Sequence, residues 1–272
     1  RAGRAHVDLR KVLALALPLV ANSSVQMVLN LTDAWFVGQV STPALAAVGA
    51  VHWLVLVVVL ILGSLGMGVQ TLVAQRYGAR RYTRASQAVW TALWGILAMA
   101  PLFVLAGWSG PWMIKPFGLG AEIESHATAF WFPRVAGACF GAAMWAIAGF
   151  FNGIGRPRVT LLISSVVALA NIALNALFIF RFGWGVAGAA WATTLAQALA
   201  LMAGLALMLI GPYRRDYKSH QTWAPRAALL VQQLRLSLPM GLFFAADYIG
   251  VALFQMMQVR TGTGAGAATQ VV

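Results

Sequence analysis

Apolar segments of 18 or more residues recur along almost the whole chain, and they restrict the fold more than any other feature. Seven can be drawn, at about 12–37, 46–74, 86–108, 123–150, 159–180, 186–210 and 230–258, and an eighth begins near Ala265. A helix needs roughly 20 apolar residues to cross a bilayer, whereas barrel strands are about half as long and alternate in polarity. The sequence therefore predicts an all-α, polytopic membrane protein.

The charged residues are few and unevenly placed. They make up 9% of the chain, against about 25% in soluble domains, and the net charge is +13. If the N-terminus is cytoplasmic, 15 of the 19 basic residues fall in cytoplasmic segments: Arg1, Arg4, Arg10, Lys11, Arg76, Arg80, Arg81, Arg84, Arg156, Arg158, Arg214, Arg215, Lys218, Arg226 and Arg235. This bias predicts a multi-pass protein of the inner (plasma) membrane with a cytoplasmic N-terminus. It explains the net charge by topology and anionic lipid, so no nucleic-acid partner is expected.

Several kinds of chemistry lack their sequence signals. The single cysteine, Cys139, lies in an apolar segment, and no Cys/His group has metal-ligand spacing. No phosphate-binding G-x-x-x-x-G-K-[ST] motif and no Ser/His/Asp set are apparent. We therefore expect neither an enzyme nor a bound cofactor or structural metal.

A weak internal repeat suggests the domain organisation. Residues 12–51 align with 233–272 without a gap, and Leu15-x-Leu17-Pro18 falls on Leu236-x-Leu238-Pro239. Coincidence between two apolar helices remains an alternative. If the repeat is real, a six-helix unit restarts at the seventh segment, as in many transporters. We then expect a six-helix N-terminal lobe at 1–210, a cytoplasmic inter-lobe loop at 211–229, and the start of a truncated C-terminal lobe at 230–272.

The first apolar segment carries a stripe of polar residues. Asn22, Gln26, Asn30 and Asp33 are spaced four, four and three residues apart, which places them on one helical face. Such a face is costly in lipid and must contact other helices or line a water-filled cavity. Hydrogen bonding between helices is the simpler alternative, but the carboxylate favours a functional, cavity-lining face.

Two further segments carry candidate functional residues. Ser164, Asn171 and Asn175 share a face of the fifth segment, where packing and ion coordination are equally open. Asp247 lies in the seventh segment and could carry a proton, balance a cationic ligand, or be held by a hydroxyl group or by Arg235. Arg134, near the outer end of the fourth segment, is expected to extend towards the membrane surface.

Several motifs together indicate a family. They are Pro18…Asp33-Ala-Trp-Phe-Val-Gly38…Leu45-Ala-Ala-Val-Gly49, Ala74-Gln-Arg-Tyr-Gly78-Ala-Arg80-Arg81, Gly153-Ile-Gly155-Arg156-Pro157-Arg158, Asn171-Ile-Ala-Leu-Asn175, Gly185-Val-Ala-Gly188-Ala-Ala-Trp191-Ala-Thr193 and Gly262…Ala267-Ala268-Thr269-Gln270. In this order and spacing the chain resembles the multidrug and toxic compound extrusion (MATE) family of secondary transporters. The resemblance covers nearly the whole chain.

The resemblance implies twelve helices in two six-helix lobes that export organic cations and other amphipathic compounds against inward H+ or Na+ flow. Asp33 matches the coupling aspartate, and Asn171 and Asn175 match a polar pair of the fifth helix. Asp247 matches an acidic position of the seventh helix. We expect ion coupling by Asp33, Asn171 and Asn175, and substrate binding by Asp247 and by two residues of the polar stripe, Asn30 and Gln26.

Two departures from the family pattern weaken these expectations. Some members carry an aspartate where this chain has Asn175, and nearly all of the second lobe is missing. The expected partners are cationic or amphipathic small molecules, the lipid bilayer and the absent lobe of the same protein. A lipid-linked oligosaccharide flippase and a non-transporting membrane scaffold are the alternatives, although a flippase should need a more cationic cavity.

Overall fold

A computed structural model describes residues 9–261, and every regular element in that range is helical. The expected eighth segment near Ala265 and the end of the aligned repeat lie outside these residues. The helices are α1 Leu9–Gly38, α2 Thr42–Leu62, α3 Ser64–Met67, α4 Val69–Gly78, α5 Tyr82–Trp108, α6 Gly110–Ile114, α7 Ala121–Ala136, α8 Ala138–Gly153, α9 Pro157–Asn175, α10 Gly185–Met208, α11 Gly211–Asp216 and α12 Ala227–Thr261. A 3₁₀ turn at Lys115–Phe117 follows α6, and a π-helical turn at Ala176–Arg181 extends α9.

The described helices confirm a membrane protein that crosses the bilayer several times. Within residues 9–261, five helices are long and apolar enough to span a membrane, or six if α7 and α8 form one bent span. The sequence predicted α7–α8 as one continuous segment, 123–150. It is instead bent by 44° at Gly137. A Cβ atom at Gly137 would lie 2.2 Å from the Thr194 side chain, so only glycine lets α10 approach the bend this closely.

The second predicted segment, 46–74, is also not continuous. It comprises α2, α3 and the first part of α4, with interruptions at Gly63 and Gly68. At Gly68 an added Cβ would lie 2.0 Å from Ser237 Oγ of α12. Small residues therefore allow backbones to approach closely here, as is common between helices in lipid. This region brings α12 against the first six-helix unit.

The polar face of α1 is positioned by its neighbours. Helix α1 packs mainly along α9, α9 packs along α10, and α2 packs between α7 and α12. Alanine is abundant at these interfaces, including the fully buried Ala44, Ala47, Ala189 and Ala190. Because small side chains separate the helices, the polar side chains of α1, α9 and α10 come within hydrogen-bonding distance of one another.

The loop after α10 is attached to α5 rather than extending freely. Trp90 Nε1 donates to the Ser219 carbonyl oxygen, and Trp94 Nε1 donates to the Trp223 carbonyl oxygen, both at 2.7 Å. The two tryptophans are four residues apart and so lie on one face of α5. Burial raises the pKa of the nearby Tyr217 to about 12, and its phenol therefore stays neutral. The segment predicted as an inter-lobe loop thus has a defined path over the first helical unit.

Packing at Gly66 predicts a large effect of a single methyl group. A Cβ at Gly66 of α3 would lie 2.2 Å from the Ala142 carbonyl oxygen of α8, a backbone atom that cannot rotate away. Gly66→Ala should therefore destabilise the protein by about 1–3 kcal/mol. Gly250→Ala is the matched control, because a Cβ there meets nothing within 4 Å. Thermal unfolding in detergent should show a lower Tm for Gly66→Ala only, and equal Tm values would contradict this packing.

Candidate functional site

The polar face of α1 lines a large cavity within the helical bundle. The cavity has a volume of about 1010 Å³ and is bordered by α1, α2, α3, α4, α7, α8, α9 and α10. Its polar lining residues are Asn22, Ser24, Gln26, Asn30, Asp33, His52, Gln70, Arg134, Asn152, Thr160, Ser164, Thr193 and Gln197. All four members of the predicted stripe are among them. The expectation that this face lines a cavity is confirmed.

Asp33 is the centre of a hydrogen-bonded network that joins three helices. Asn175 Nδ2 donates to Asp33 Oδ1 at 2.6 Å and also to Asn171 Oδ1 at 2.9 Å. Asn171 Nδ2 in turn donates to Thr193 Oγ1 at 3.1 Å. The distance from Thr193 Oγ1 to Asp33 Oδ2 is 3.4 Å, which closes the ring. The predicted proximity of Asp33 to Asn171 and Asn175 is confirmed.

The two asparagines are fully buried, and this makes their hydrogen bonds important. Each has 0% of its surface exposed, so an unpaired amide there would cost about 1–3 kcal/mol. The helical spacing of four residues places the amides of Asn171 and Asn175 side by side. One atom remains unsatisfied, because Asn175 Oδ1 is buried and has no hydrogen-bond partner. That oxygen lies on the side chain that binds Asp33.

Thr193 belongs to this network but was missed by the sequence reasoning. Its hydroxyl also contacts the Ala189 carbonyl oxygen of its own helix at 3.1 Å. A single threonine in an apolar helix usually makes only that bond. Its position shows only once α10 is packed beside α9.

A second polar cluster was missed as well, on the side of the cavity formed by α4, α8 and α9. Thr160 Oγ1 and Asn152 Oδ1 are 2.7 Å apart, and Asn152 Nδ2 lies 3.4 Å from Gln70 Oε1. These residues are scattered over three helices and share no sequence period. The cavity is therefore polar at two places: around Asp33 and around Asn152.

Arg134 does not extend towards the membrane surface as expected. It lies in α7 and lines the cavity, where it attracts the carboxylate of Asp33 electrostatically. The expectation was wrong because it assumed that the outer half of α7 faces lipid. The bend at Gly137 and packing against α2, α5 and α10 place this part of α7 inside the bundle.

The predicted substrate residues are divided between two places. Gln26 and Asn30 line the same cavity as Asp33. Asp247 lies in α12, is exposed, and is not among the cavity-lining residues. Its neighbour Tyr248 stacks on the cavity-lining Trp53, with ring centroids 5.3 Å apart. Tyr248 of α12 thus touches the cavity wall, whereas Asp247 itself does not line the cavity, and its role stays a prediction.

Comparison with known proteins agrees with this architecture. The sequence model of the MatE family matches residues 18–177, a segment that includes Asp33, Asn171 and Asn175. The chain belongs to the MatE family. Its curated relatives include proteins named "Probable multidrug resistance protein NorM". The relative from Aromatoleum aromaticum is 27% identical, with 94% of this chain and 57% of the relative covered. The relative from Pseudomonas aeruginosa is 30% identical, with 89% and 50% covered.

Solved structures show the same fold. One, an inward-facing multidrug resistance MATE family transporter of the MOP superfamily, superposes with a TM-score of 0.81 at 22% identity, covering 96% of this chain and 60% of that one. Another, MATE in the straight conformation, gives 0.74 at 25% identity, covering 95% and 58%. The fold class is thus that of the first lobe and seventh helix of a MATE transporter. The chain spans about half the length of the curated relatives it matches.

The ring of hydrogen bonds predicts that removal of the Thr193 hydroxyl group lowers the stability of the protein. Thr193→Val keeps the side-chain shape but leaves the buried Asn171 Nδ2 without its acceptor. The protein should lose about 1–3 kcal/mol of stability. Thr193→Ser retains the hydroxyl and should lose much less. Thermal unfolding of the purified variants provides the measurement, and a valine variant as stable as the serine variant would argue against the network.

Proposed function

We propose that this chain forms one lobe of a secondary antiporter that exports organic cations or other amphipathic drugs in exchange for H+ or Na+. The observation that carries the proposal is a carboxylate, Asp33, that is hydrogen-bonded to a buried amide and lines a largely apolar cavity of about 1010 Å³. The relatives named multidrug resistance proteins support the substrate class. A single ionisable residue placed among apolar helices commonly marks an ion pathway.

The proposed coupling step follows from the hydrogen bonds of Asp33. When the carboxylate is ionised, it accepts a hydrogen bond from the Asn175 amide and attracts the positive charge of a substrate. When H+ or Na+ neutralises it, both interactions weaken. Since α1 reaches α9 and α10 through this carboxylate, its loading alters the packing of α1. Ion and substrate thereby compete for Asp33. Because they differ in affinity for the inward-open and outward-open states, their binding shifts the equilibrium between those two states.

The residues around Asp33 fit either coupling ion. A proton requires only the carboxylate and a route through the polar cavity. Na+ is a hard cation that prefers oxygen ligands. The oxygens of Asp33, the side-chain oxygens of Asn171 and Thr193, and the unpaired Asn175 Oδ1 supply these. In this proposal Asp33 holds the ion, Asn171 and Asn175 position it, and Gln26 and Asn30 contact the substrate.

The alternatives fit the cavity less well. A flippase for a pyrophosphate-linked lipid should present several cations, but Arg134 is the sole arginine or lysine among the described lining residues. A scaffold would not need a cavity of this size with a carboxylate in its lining. The proposal includes a location in the inner (plasma) membrane with a cytoplasmic N-terminus. It also includes a second lobe of the same protein facing α12.

Removal of the Asp33 charge should abolish export. Asp33→Asn keeps the size of the side chain but can neither release a proton nor attract a cation. In cells expressing the complete natural protein that contains this chain, drug efflux should fall to background while the protein level in the membrane is unchanged. Glu122→Gln, an exposed acid in the first turn of α7, should leave efflux normal. Wild-type efflux by Asp33→Asn would refute the coupling role.

Asp247 should contribute to the recognition of positively charged substrates rather than to binding of the coupling ion. It is exposed on α12, outside the Asp33 network, so in this proposal its carboxylate is available to the cationic part of a substrate. Asp247→Asn should weaken export of a cationic dye more than export of a neutral drug, whereas Asp33→Asn should damage both. Resistance profiles of the two variants against both compounds give the measurement. Equal losses in the Asp247 variant would place this residue in ion coupling instead.

A further inference from the structure

Arg134 is a positively charged residue that lines the cavity. The proposed ion coupling by Asp33, Asn171 and Asn175 gives it no function. A charge within a membrane-spanning helix costs several kcal/mol unless it has a partner or contacts water. Arg134 lies on the cavity wall and is partly accessible there. Its position beside the cavity therefore indicates a group that meets water or a ligand.

The charges of the cavity lining are balanced. Among the described lining residues, Asp33 and Arg134 are the one acid and the one arginine or lysine, and His52 is the one histidine. A cavity meant for simple cations would be expected to carry acids alone. Here a positive substrate is attracted by Asp33 and repelled by Arg134, so the lining favours a ligand that carries both signs.

The hydrogen-bonding capacity of Arg134 is also uncommitted. Both carboxylate oxygens of Asp33 face donors of the network: Asn175 at 2.6 Å and Thr193 at 3.4 Å. Arg134 attracts Asp33 only at longer range, and no hydrogen bond of its guanidinium is found in the part of the chain described. A guanidinium carries five N–H donors in a planar fork that matches a carboxylate in a bidentate manner.

We propose that Arg134 binds the carboxylate of zwitterionic substrates while Asp33 binds their cationic end. This inference rests on the proposed antiporter function and assigns its substrate selectivity to a residue outside the coupling network. When H+ or Na+ neutralises Asp33, the cationic end loses its partner, so a zwitterion keeps one of its two ionic contacts. A cation without a carboxylate interacts with Asp33 alone and is repelled by Arg134.

A matched pair of dyes separates the two charges. A rhodamine with a free carboxylate and its methyl ester share the same cationic ring system, and only the first is zwitterionic. Uptake is measured in everted membrane vesicles that contain the complete natural protein, with an imposed H+ or Na+ gradient. Arg134→Gln should reduce transport of the carboxylate dye about tenfold, as expected for the loss of one charge-assisted contact. Transport of the ester should be unchanged or higher.

Two further variants test whether the effect is specific. Arg134→Lys keeps the charge without the planar fork and should retain part of the carboxylate-dye transport. Arg181→Gln removes an exposed arginine after α9 and should alter neither dye. If Arg134→Gln fails to reach the membrane, the lysine variant still discriminates, because it should lose the carboxylate dye selectively.

The dye measurements distinguish a failure of the Arg134 proposal from a failure of the antiporter proposal. Equal loss of both dyes in the Arg134 variants, or full retention of the carboxylate dye, would overturn the role of Arg134. Ion-driven transport of the ester without any transport of the carboxylate dye by the wild type would also overturn it, and would leave the antiporter function standing. Wild-type vesicles that move neither dye under either gradient would overturn the antiporter function and this inference together.

Discussion

The hydrogen bond between Asp33 and Asn175 is the interaction on which the rest of the site depends. A carboxylate in an apolar helix needs donors, and a fully buried asparagine needs an acceptor. Asn175 Nδ2 donates to the Asp33 carboxylate across the α1–α9 interface at 2.6 Å. Because this bond also joins α1 to α9, a change in the charge of Asp33 would weaken the contact between the two helices.

Close helix packing makes this arrangement possible. Amides and hydroxyl groups are short, so the α1, α9 and α10 backbones must approach closely before their side chains can bond. Alanines supply the space at these interfaces, and glycines at positions 63, 68 and 137 allow the breaks that turn α3, α4 and α8 inwards. The bend at Gly137 also determines that Arg134 faces the cavity. The bend between α7 and α8 thereby adds the positive charge of Arg134 to a cavity lining that also contains the negative charge of Asp33.

The loop after α10 shows a second use of hydrogen bonding at the edge of the bundle. Its backbone carbonyls accept from tryptophans of α5, and a buried side-chain amide on α12, Gln233, donates to the Ala88 carbonyl at 2.6 Å. These contacts fix the start of α12 relative to the first six-helix unit.

The sequence by itself determined the helical membrane fold, because long apolar segments permit little else, and it identified the polar stripe of α1 from its helical spacing. It also identified Asp33, Asn171 and Asn175, since polar residues in apolar segments are rare enough to stand out. It could not find Thr193, the Gln70–Asn152–Thr160 cluster or the inward position of Arg134. These depend on which faces of separate helices meet, and no local period records that. Only the tertiary structure, through close approach at small residues and the bend at Gly137, decided which polar groups share the cavity.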